Sequence, residues 1–407
     1  MRILLTGSDG YLGSVVGPEL ALAGHDVVGL DTGFFREAWL HHDHHWSPAT
    51  WRLDVRDVCP PDLEGFEAVV HLAELSNDPL GQLRPDLTRR INHHGSARLA
   101  AMARSAGVAR FVYMSSCSVY GAADGVVNEE APLHPQSAYA ECKARMEEEL
   151  HRLAVPGFSP IALRNATAFG LSARMRLDLV LNNLCALVFT TGEVTMTSDG
   201  TPWRPLVHAL DIAQAIRLVL AAPAPSVHDE VINVGDGANN LRVADLARVV
   251  SRVFNDAPLH FGEEACDRRS YAVDFARIAT VLPSFRCGWS VERGARQLRQ
   301  AFELVGLSGE ELTGRRYIRL SALRHLMRSG QLDAELRWRR PALDGCRSPM
   351  PALGAPSRRP EELGEARADG RRSAGAVASP GPGTGPSGHE RLPGRTLVTA
   401  SGPTQAS

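Results

Sequence analysis

Short apolar runs, each about one strand long, punctuate the first two-thirds of the chain. RILLTG (2–7), DVVGLD (26–31), AVVHLA (68–73), FVYMSS (111–116) and SPIALR (159–164) read as buried β-strands, several closed by turn residues. Between them, residues 11–23, about 85–106 and 137–154 carry apolar side chains at helical spacing. Strands that are apolar on both faces, alternating with helices, predict an α/β fold: a Rossmann-type, doubly wound parallel sheet covered on both sides. After about residue 165 the alternation loosens, with helices expected over 175–189, 211–221 and 242–254 and a strand over 230–234. The predicted organisation is a first domain over 1–165, then a smaller C-terminal lobe over 166–338 with some return to the main sheet. Residues 339–407 are rich in Pro, Gly, Ser, Ala and Arg and poor in large apolar residues, and are expected to be a disordered tail.

Composition narrows the class. Of 407 residues, 44% are hydrophobic and 22% charged, as in ordinary globular proteins. A net charge of −2 provides no field to gather nucleic acid or an anionic membrane, so neither partner is expected. Seven scattered cysteines without a Cys-x-x-Cys pair read as reduced thiols, which points to the cytoplasm. The opening MRILLTGSDG has too short an apolar run for a signal peptide, and no run reaches the length of a membrane span.

Candidate chemistry begins at the first strand. Gly7, Gly10 and Gly13, with Tyr11 and Leu12 between the last two, follow it directly and open a helix. Glycines there let the backbone turn tightly and approach a pyrophosphate seated on the helix N-terminus. Asp31 ends the second strand, near the spacing expected of a carboxylate that accepts from an adenosine 2′-hydroxyl and repels a 2′-phosphate. The pair predicts a dinucleotide cofactor, NAD in preference to NADP. Asp54 follows the strand TWRL, where it either contacts adenine or forms a turn, and the backbone of Leu72 and Ala73 in HLAE is expected to face the same crevice.

A second constellation is Tyr139-x-x-x-Lys143. Residues four apart share one helix face. Lys143 is the only lysine in a chain whose other basic residues are all arginine. An unperturbed phenol has a pKa of about 10 and is a poor base near neutrality. A neighbouring ammonium and a cationic nicotinamide ring both favour the phenolate. The phenol then exchanges a proton with a substrate hydroxyl while hydride moves to or from the cofactor. A compact ammonium fits beside the phenol better than the wide guanidinium fork.

These motifs, together with SSCSVYG (115–121), Asn92 in INHHGSARL and DGTPWRPLVHALD (199–211), resemble the extended short-chain dehydrogenase/reductases, within them the NAD-dependent epimerase/dehydratase family acting on nucleotide sugars. The resemblance spans about 1–340. It implies that Ser116 bonds the reacting sugar oxygen, that Tyr139 is general base and acid, and that Lys143 binds nicotinamide ribose and tunes Tyr139. It further implies a cofactor role for Asn92, a nucleotide-phosphate role for Asn183, and phosphate contacts for Arg204 and Arg269, each of which is otherwise a surface or interlobe ion pair. Sugar 4,6-dehydratases carry an Asp–Glu pair where this chain has Cys117 and Ser118, so elimination by that route is not expected. The expected activity is a nucleotide-sugar epimerase working through a transient keto-sugar with recycled NAD, with homodimerisation implied by the family. The alternatives are a keto-sugar reductase or dehydrogenase, and a non-catalytic NAD sensor.

Further expected sugar contacts are Ser76 and Asn77, beyond the fourth strand, and Asn165, which sits two residues before the family's usual asparagine position, here Thr167. The run WLHHDHHW (39–46) offers four histidines and Asp43, but not at metal-ligand spacing, and no metal site is expected.

Overall fold

The computed structural model describes residues 1–40, 48–76, 81, 84–263 and 269–339. Its strands, in chain order, are β1 (Arg2–Thr6), β2 (Asp26–Asp31), β3 (Ala49–Arg52), β4 (Ala68–His71), β5 (Arg110–Ser116), β6 (Ala122–Val127), β7 (Ser159–Asn165), β8 (Thr167–Phe169), β9 (Val194–Thr195), β10 (Trp203–His208), β11 (Glu230–Val234), β12 (Asn240–Arg242), β13 (Leu259–His260) and β14 (Ser270–Val273). Seven of them form one parallel sheet in the order β11-β7-β5-β4-β1-β2-β3. From β1 the chain winds outward through β2 and β3, then crosses back to β4 and winds the other way. Connections therefore leave the C-terminal ends of β1 and β4 in opposite directions, and a crevice opens there.

The helices that matter below are α1 (Gly13–Leu22), α2 (Ser96–Ser105), α3 (Ala138–Leu153), α4 (Val180–Thr191), α5 (Ala209–Ala221), α6 (Val243–Val253), α7 (Val291–Val305) and α8 (Arg319–Arg328). Successive strand residues face opposite sides of the sheet. Ile3, Leu5, Val70 and Val112 join a core that takes in Val16 and Leu20 of α1 and Ile212 and Ile216 of α5. Leu4, Val69, Phe111 and Tyr113 face the other way, onto Leu99 and Ala103 of α2 and Met146 and Leu150 of α3. Because both faces are covered, the strands carry apolar residues at consecutive positions, the feature that made them recognisable.

α3 is the helix on which the candidate chemistry depends. Ser137 caps it, its side chain accepting from the Ala140 N–H at 3.2 Å, an arrangement worth about 1 kcal/mol. Its buried positions include Ala140, Cys142, Lys143, Met146, Glu147 and Leu150. Two of these are charged. Glu147 is matched by Arg164 on β7 at 2.6 Å, a buried ion pair that ties α3 to the sheet.

Some elements differ from expectation. The helix expected over 85–106 is a short turn, Pro85–Thr88, then a wide π-type turn over Arg89–Gly95, then α2. Asn92 lies in the wide turn, fully buried, and both ends of its amide bond the backbone of Leu75. The helix expected from 175 begins at Val180. The residues just before it are held out of the helix by tertiary bonds, among them Leu177 N–H to the Tyr317 carbonyl at 3.1 Å. β11 joins the main sheet beside β7, while β10 pairs with β8 and β12 in a separate small sheet. Of residues 339–407, expected to be disordered, Arg339 is described and its N–H bonds the Gln331 carbonyl at 3.0 Å, while 340–407 lie outside the described residues, as do His41, His42, His44 and His45.

Candidate active site

A cleft of about 770 Å³ lies along the C-terminal ends of β1, β2, β4 and β5. Gly7, Gly10 and Asp31 line one part of it, and Ser116, Tyr139 and Lys143 another. The two constellations read separately from the sequence thus share one cavity.

The glycine loop is shaped by close approach. Gly7 has φ +73°, and a Cβ there would sit 2.9 Å from the Ala73 nitrogen. A Cβ on Gly13 would meet the Gly7 carbonyl oxygen at 2.0 Å, so α1 can start against the loop only with glycine at that position. The Tyr11 hydroxyl donates to the Gly170 carbonyl at 2.7 Å and accepts from Asn182, which pins the loop to the end of β8 and to α4. Leu12 lies at the start of α1, which has no side-chain cap and no acidic residue in its first turn. Ser14 and Val15 donate to the carbonyls of Gly10 and Leu12, so it is the N–H groups ahead of them, from Tyr11 to Gly13, that are left for an anion. On the facing strand end, the N–H groups of Leu72 and Ala73 both bond Thr6 Oγ1 at 3.2 Å. His71, bonded to Thr6 and Ser96, is held neutral by burial, which lowers its pKa to about 3.

Asp31 accepts from the Gly33 N–H at 2.7 Å and the Asp9 N–H at 3.1 Å. Burial, then the nearby Asp9 carboxylate, pushes its pKa up to about 6. The site therefore holds a carboxylate that is strained as an anion and gains from a hydroxyl donor. An uncapped helix N-terminus, a glycine cradle and this carboxylate fit the pyrophosphate and adenosine ribose of a dinucleotide. Because the folded value lies above the unfolded one, ionising Asp31 costs stability as pH rises from about 4 through 6. Asp31→Asn is expected to raise the melting temperature of the cofactor-free protein at pH 7.5, with the gap closing towards pH 4, while reducing the preference for NAD over NADP. Melting curves and paired titrations check both. Asp54 also lines the cleft, but its carboxylate caps residues 55–57 and pairs with Arg56 at 2.7 Å.

At the other end, β5 terminates in Ser116, whose hydroxyl accepts from the Ser118 N–H at 3.2 Å. Its own hydrogen remains to donate. The first turn of α3 presents Tyr139, half-buried at the cleft wall. Lys143 Nζ lies 5.3 Å from the centre of the Tyr139 ring and 4.6 Å from that of Tyr113, and donates to the Met114 carbonyl. The sequence did not reveal its strongest partner. Glu74, the residue after HLA, places Oε2 2.6 Å from Lys143 Nζ, the two side chains being 2% and 4% exposed. Tyr113 donates to the other carboxylate oxygen at 2.8 Å. Burial works against the Lys143 ammonium, but the Glu74 carboxylate outweighs it and holds its pKa above the ordinary value.

Of the expected substrate contacts, Ser76, Asn165, Asn183, Arg204 and Arg269 all line the cleft, and Asn77 lies outside the described residues. Asn165 Oδ1 is buried without a hydrogen-bond partner among the described residues. Asn183 donates to the Leu177 carbonyl at 2.9 Å, and Arg204 donates to the carbonyls of Trp203 and Arg269. Asn92 is behind the cleft wall, holding Leu75. The structure adds Arg176, which pairs with Asp178 at 2.9 Å and donates to Ser76, and Arg319 from α8. Among the described residues no group of three His, Cys, Asp or Glu side chains is arranged to hold a metal.

Comparison with known proteins shows the family. The chain is 32% identical over 275 residues to the UDP-glucose 4-epimerase of Corynebacterium glutamicum, covering 62% of this chain and 80% of that protein. The structure of TunA, an NAD-dependent NDP-hexosamine 5,6-dehydratase of tunicamycin biosynthesis, aligns with a TM-score of 0.66 at 25% identity, covering 74% of this chain and 98% of TunA. MoeE5 in complex with UDP-glucuronic acid and NAD aligns with a TM-score of 0.65 at 26% identity, over 75% of this chain and 99% of that one. The family model that matches residues 3–235 is that of the NAD dependent epimerase/dehydratase family, and the chain belongs to it.

Proposed function

We propose that the protein is a nucleotide-sugar epimerase that oxidises one sugar carbon and reduces it again on the other face. The observation that carries this reading is the single cleft that joins the glycine loop and Asp31 to Ser116, Tyr139 and Lys143. NAD, when bound, supplies the hydride acceptor and donor. The chain does the rest. Ser116 donates to the reacting oxygen, Tyr139 removes its proton and later returns it, and Lys143 keeps the phenolate favourable beside it. The first 165 residues hold the cofactor, and residues 166–338, through Asn183, Arg204 and Arg269, hold the nucleotide diphosphate.

Family relatives include dehydratases, and the carboxylates lining the cleft argue against elimination here. Asp31 and Asp54 stand with the glycine loop and β3 ends, Glu74 is paired with Lys143, and Asp178 with Arg176. Cys117, in place of a dehydratase acid, is buried with its thiol donating to the Arg164 carbonyl, and burial raises its pKa far above the ordinary value. Neither it nor Ser118 supplies a proton as a carboxylic acid does.

UDP-glucose is the first substrate to test, since several relatives are named UDP-glucose 4-epimerases. Purified protein is expected to carry NAD and to interconvert the nucleotide sugar with no net change in reduced-nicotinamide absorbance. Stoichiometric consumption of added reduced cofactor would replace the epimerase with a reductase, and bound NAD without turnover of any nucleotide sugar would leave a sensor. We place the reaction in the cytoplasm, where Cys59, Cys117, Cys142, Cys185 and Cys287 stay free thiols, and expect a homodimer, which light scattering checks.

A further inference from the structure

The C-terminal part of the described chain crosses back to the cofactor half and is fastened along its course. Arg316 donates to the carbonyls of Glu37 and Trp39, and the Tyr317 carbonyl accepts from Leu177. After α8, Arg56 donates to the Glu335 carbonyl at 3.0 Å, Arg337 pairs with Asp57, and Trp338 Nε1 donates to the Thr32 carbonyl at 2.9 Å. This strap lies beyond residues 3–235, the span that matches the family model.

The strap delivers one side chain into the cleft. Arg319, the first residue of α8, is 4% exposed and lines the same cavity as the glycine loop. Its guanidinium carbon stands 4.3 Å from the centre of the Phe35 ring, and Nη2 donates to the Arg174 carbonyl at 3.0 Å. Among the described residues the buried Nη1 has no hydrogen-bond partner. Its charged neighbours are two more arginines, Arg174 and Arg176, and two carboxylates, Asp31 and Asp178. Asp178 is already engaged by Arg176, and Asp31 by the backbone of Gly33 and Asp9. Burial and repulsion from Arg176 lower the Arg319 pKa to about 9, the mark of a desolvated cation short of an anion. Leaving a buried guanidinium N–H unpaired is costly, and a phosphate oxygen is its best-matched acceptor.

We propose that Arg319 is a diphosphate-binding residue, carried into the cleft by the C-terminal strap. The inference rests on reading the cleft as a dinucleotide and nucleotide-sugar site. The diphosphate belongs either to the dinucleotide at the glycine loop or to the nucleotide sugar beyond it, and one experiment separates them.

Full-length native protein, Arg319→Gln and Arg319→Lys are compared as purified, after melting curves establish that each is folded. Release of bound NAD on dilution is followed in one arm. Calorimetric titration with UDP-glucose, and with uridine, which lacks phosphate, forms the other. The Gln variant is expected to release NAD about tenfold faster or more, or to bind UDP-glucose about tenfold more weakly with uridine binding unchanged; the first outcome assigns the dinucleotide, the second the nucleotide sugar. Arg319→Lys, which keeps the charge, should recover part of the loss. Rates and affinities within twofold of native in both arms would overturn the proposal, as would a loss that extends equally to uridine or is as large in the Lys variant. If native protein carries no NAD and binds no UDP-glucose, the reading of the cleft itself falls. If native protein binds both and Arg319→Gln does so equally well, Arg319 alone has been misassigned.

Discussion

Tyr139→Phe is expected to reduce turnover by about 10²–10⁴-fold, the range in which a positioned acid–base group contributes. The substitution removes one oxygen and keeps the ring that stands 5.3 Å from Lys143, so the wall of the cleft is preserved. NAD should remain bound, and KM should change little, because the phenol acts on the proton in flight. Among the described residues, no other group lining this end of the cleft can take over. The Ser116 hydroxyl already accepts from the Ser118 N–H, and Glu74 is occupied by Lys143. Turnover above a tenth of native in the Phe variant, measured by chromatographic separation of epimers, would remove Tyr139 from the role of base.

Lys143→Met is expected to fail twice, in stability and in catalysis. The side chain fits a similar volume, but Glu74 would be left as an uncompensated buried carboxylate, a loss of about 3–5 kcal/mol for pairs of this kind. Lowering the pH should relieve part of the loss, because a carboxyl held above its unfolded pKa destabilises only while it is ionised. The double variant Lys143→Met/Glu74→Leu should recover most of the stability and none of the activity. That combination separates the two roles of the ammonium, as counter-ion to Glu74 and as neighbour of the Tyr139 phenol. Recovery of turnover together with stability would mean that Lys143 serves the fold alone.

The parallel sheet was legible because strands covered on both faces are apolar at successive positions, as in ILL of β1 and VV of β4. The Tyr139–Lys143 register and the glycine loop were legible because both are local: a helix repeat fixes one and close approach fixes the other. Glu74 was not, since its partner lies on α3 and no periodicity links them; the available signal was a carboxylate at a strand end that points into a crevice already expected there. Arg176 and Asp178 were read as the start of a helix. Neither is helical, because a bond from Leu177 to Tyr317, far along the chain, overrides local propensity. α7 and α8 were missed altogether, although Ser290 caps α7 and Ala295, Leu298 and Phe302 mark its buried stripe. Arg319 entered the cleft only when the strap around it was folded back.

The most direct measurement follows the fate of hydrogen at the inverted carbon. UDP-glucose carrying deuterium at C4 is incubated with native protein in ordinary water, and the product is read by NMR and mass spectrometry. The account predicts an epimer that keeps the label at C4, with no solvent hydrogen in its place and no label released in reduced cofactor. Label found at C6, in water or in free reduced nicotinamide would contradict it, because the hydride would then not have been held in the cleft and returned to the carbon it left.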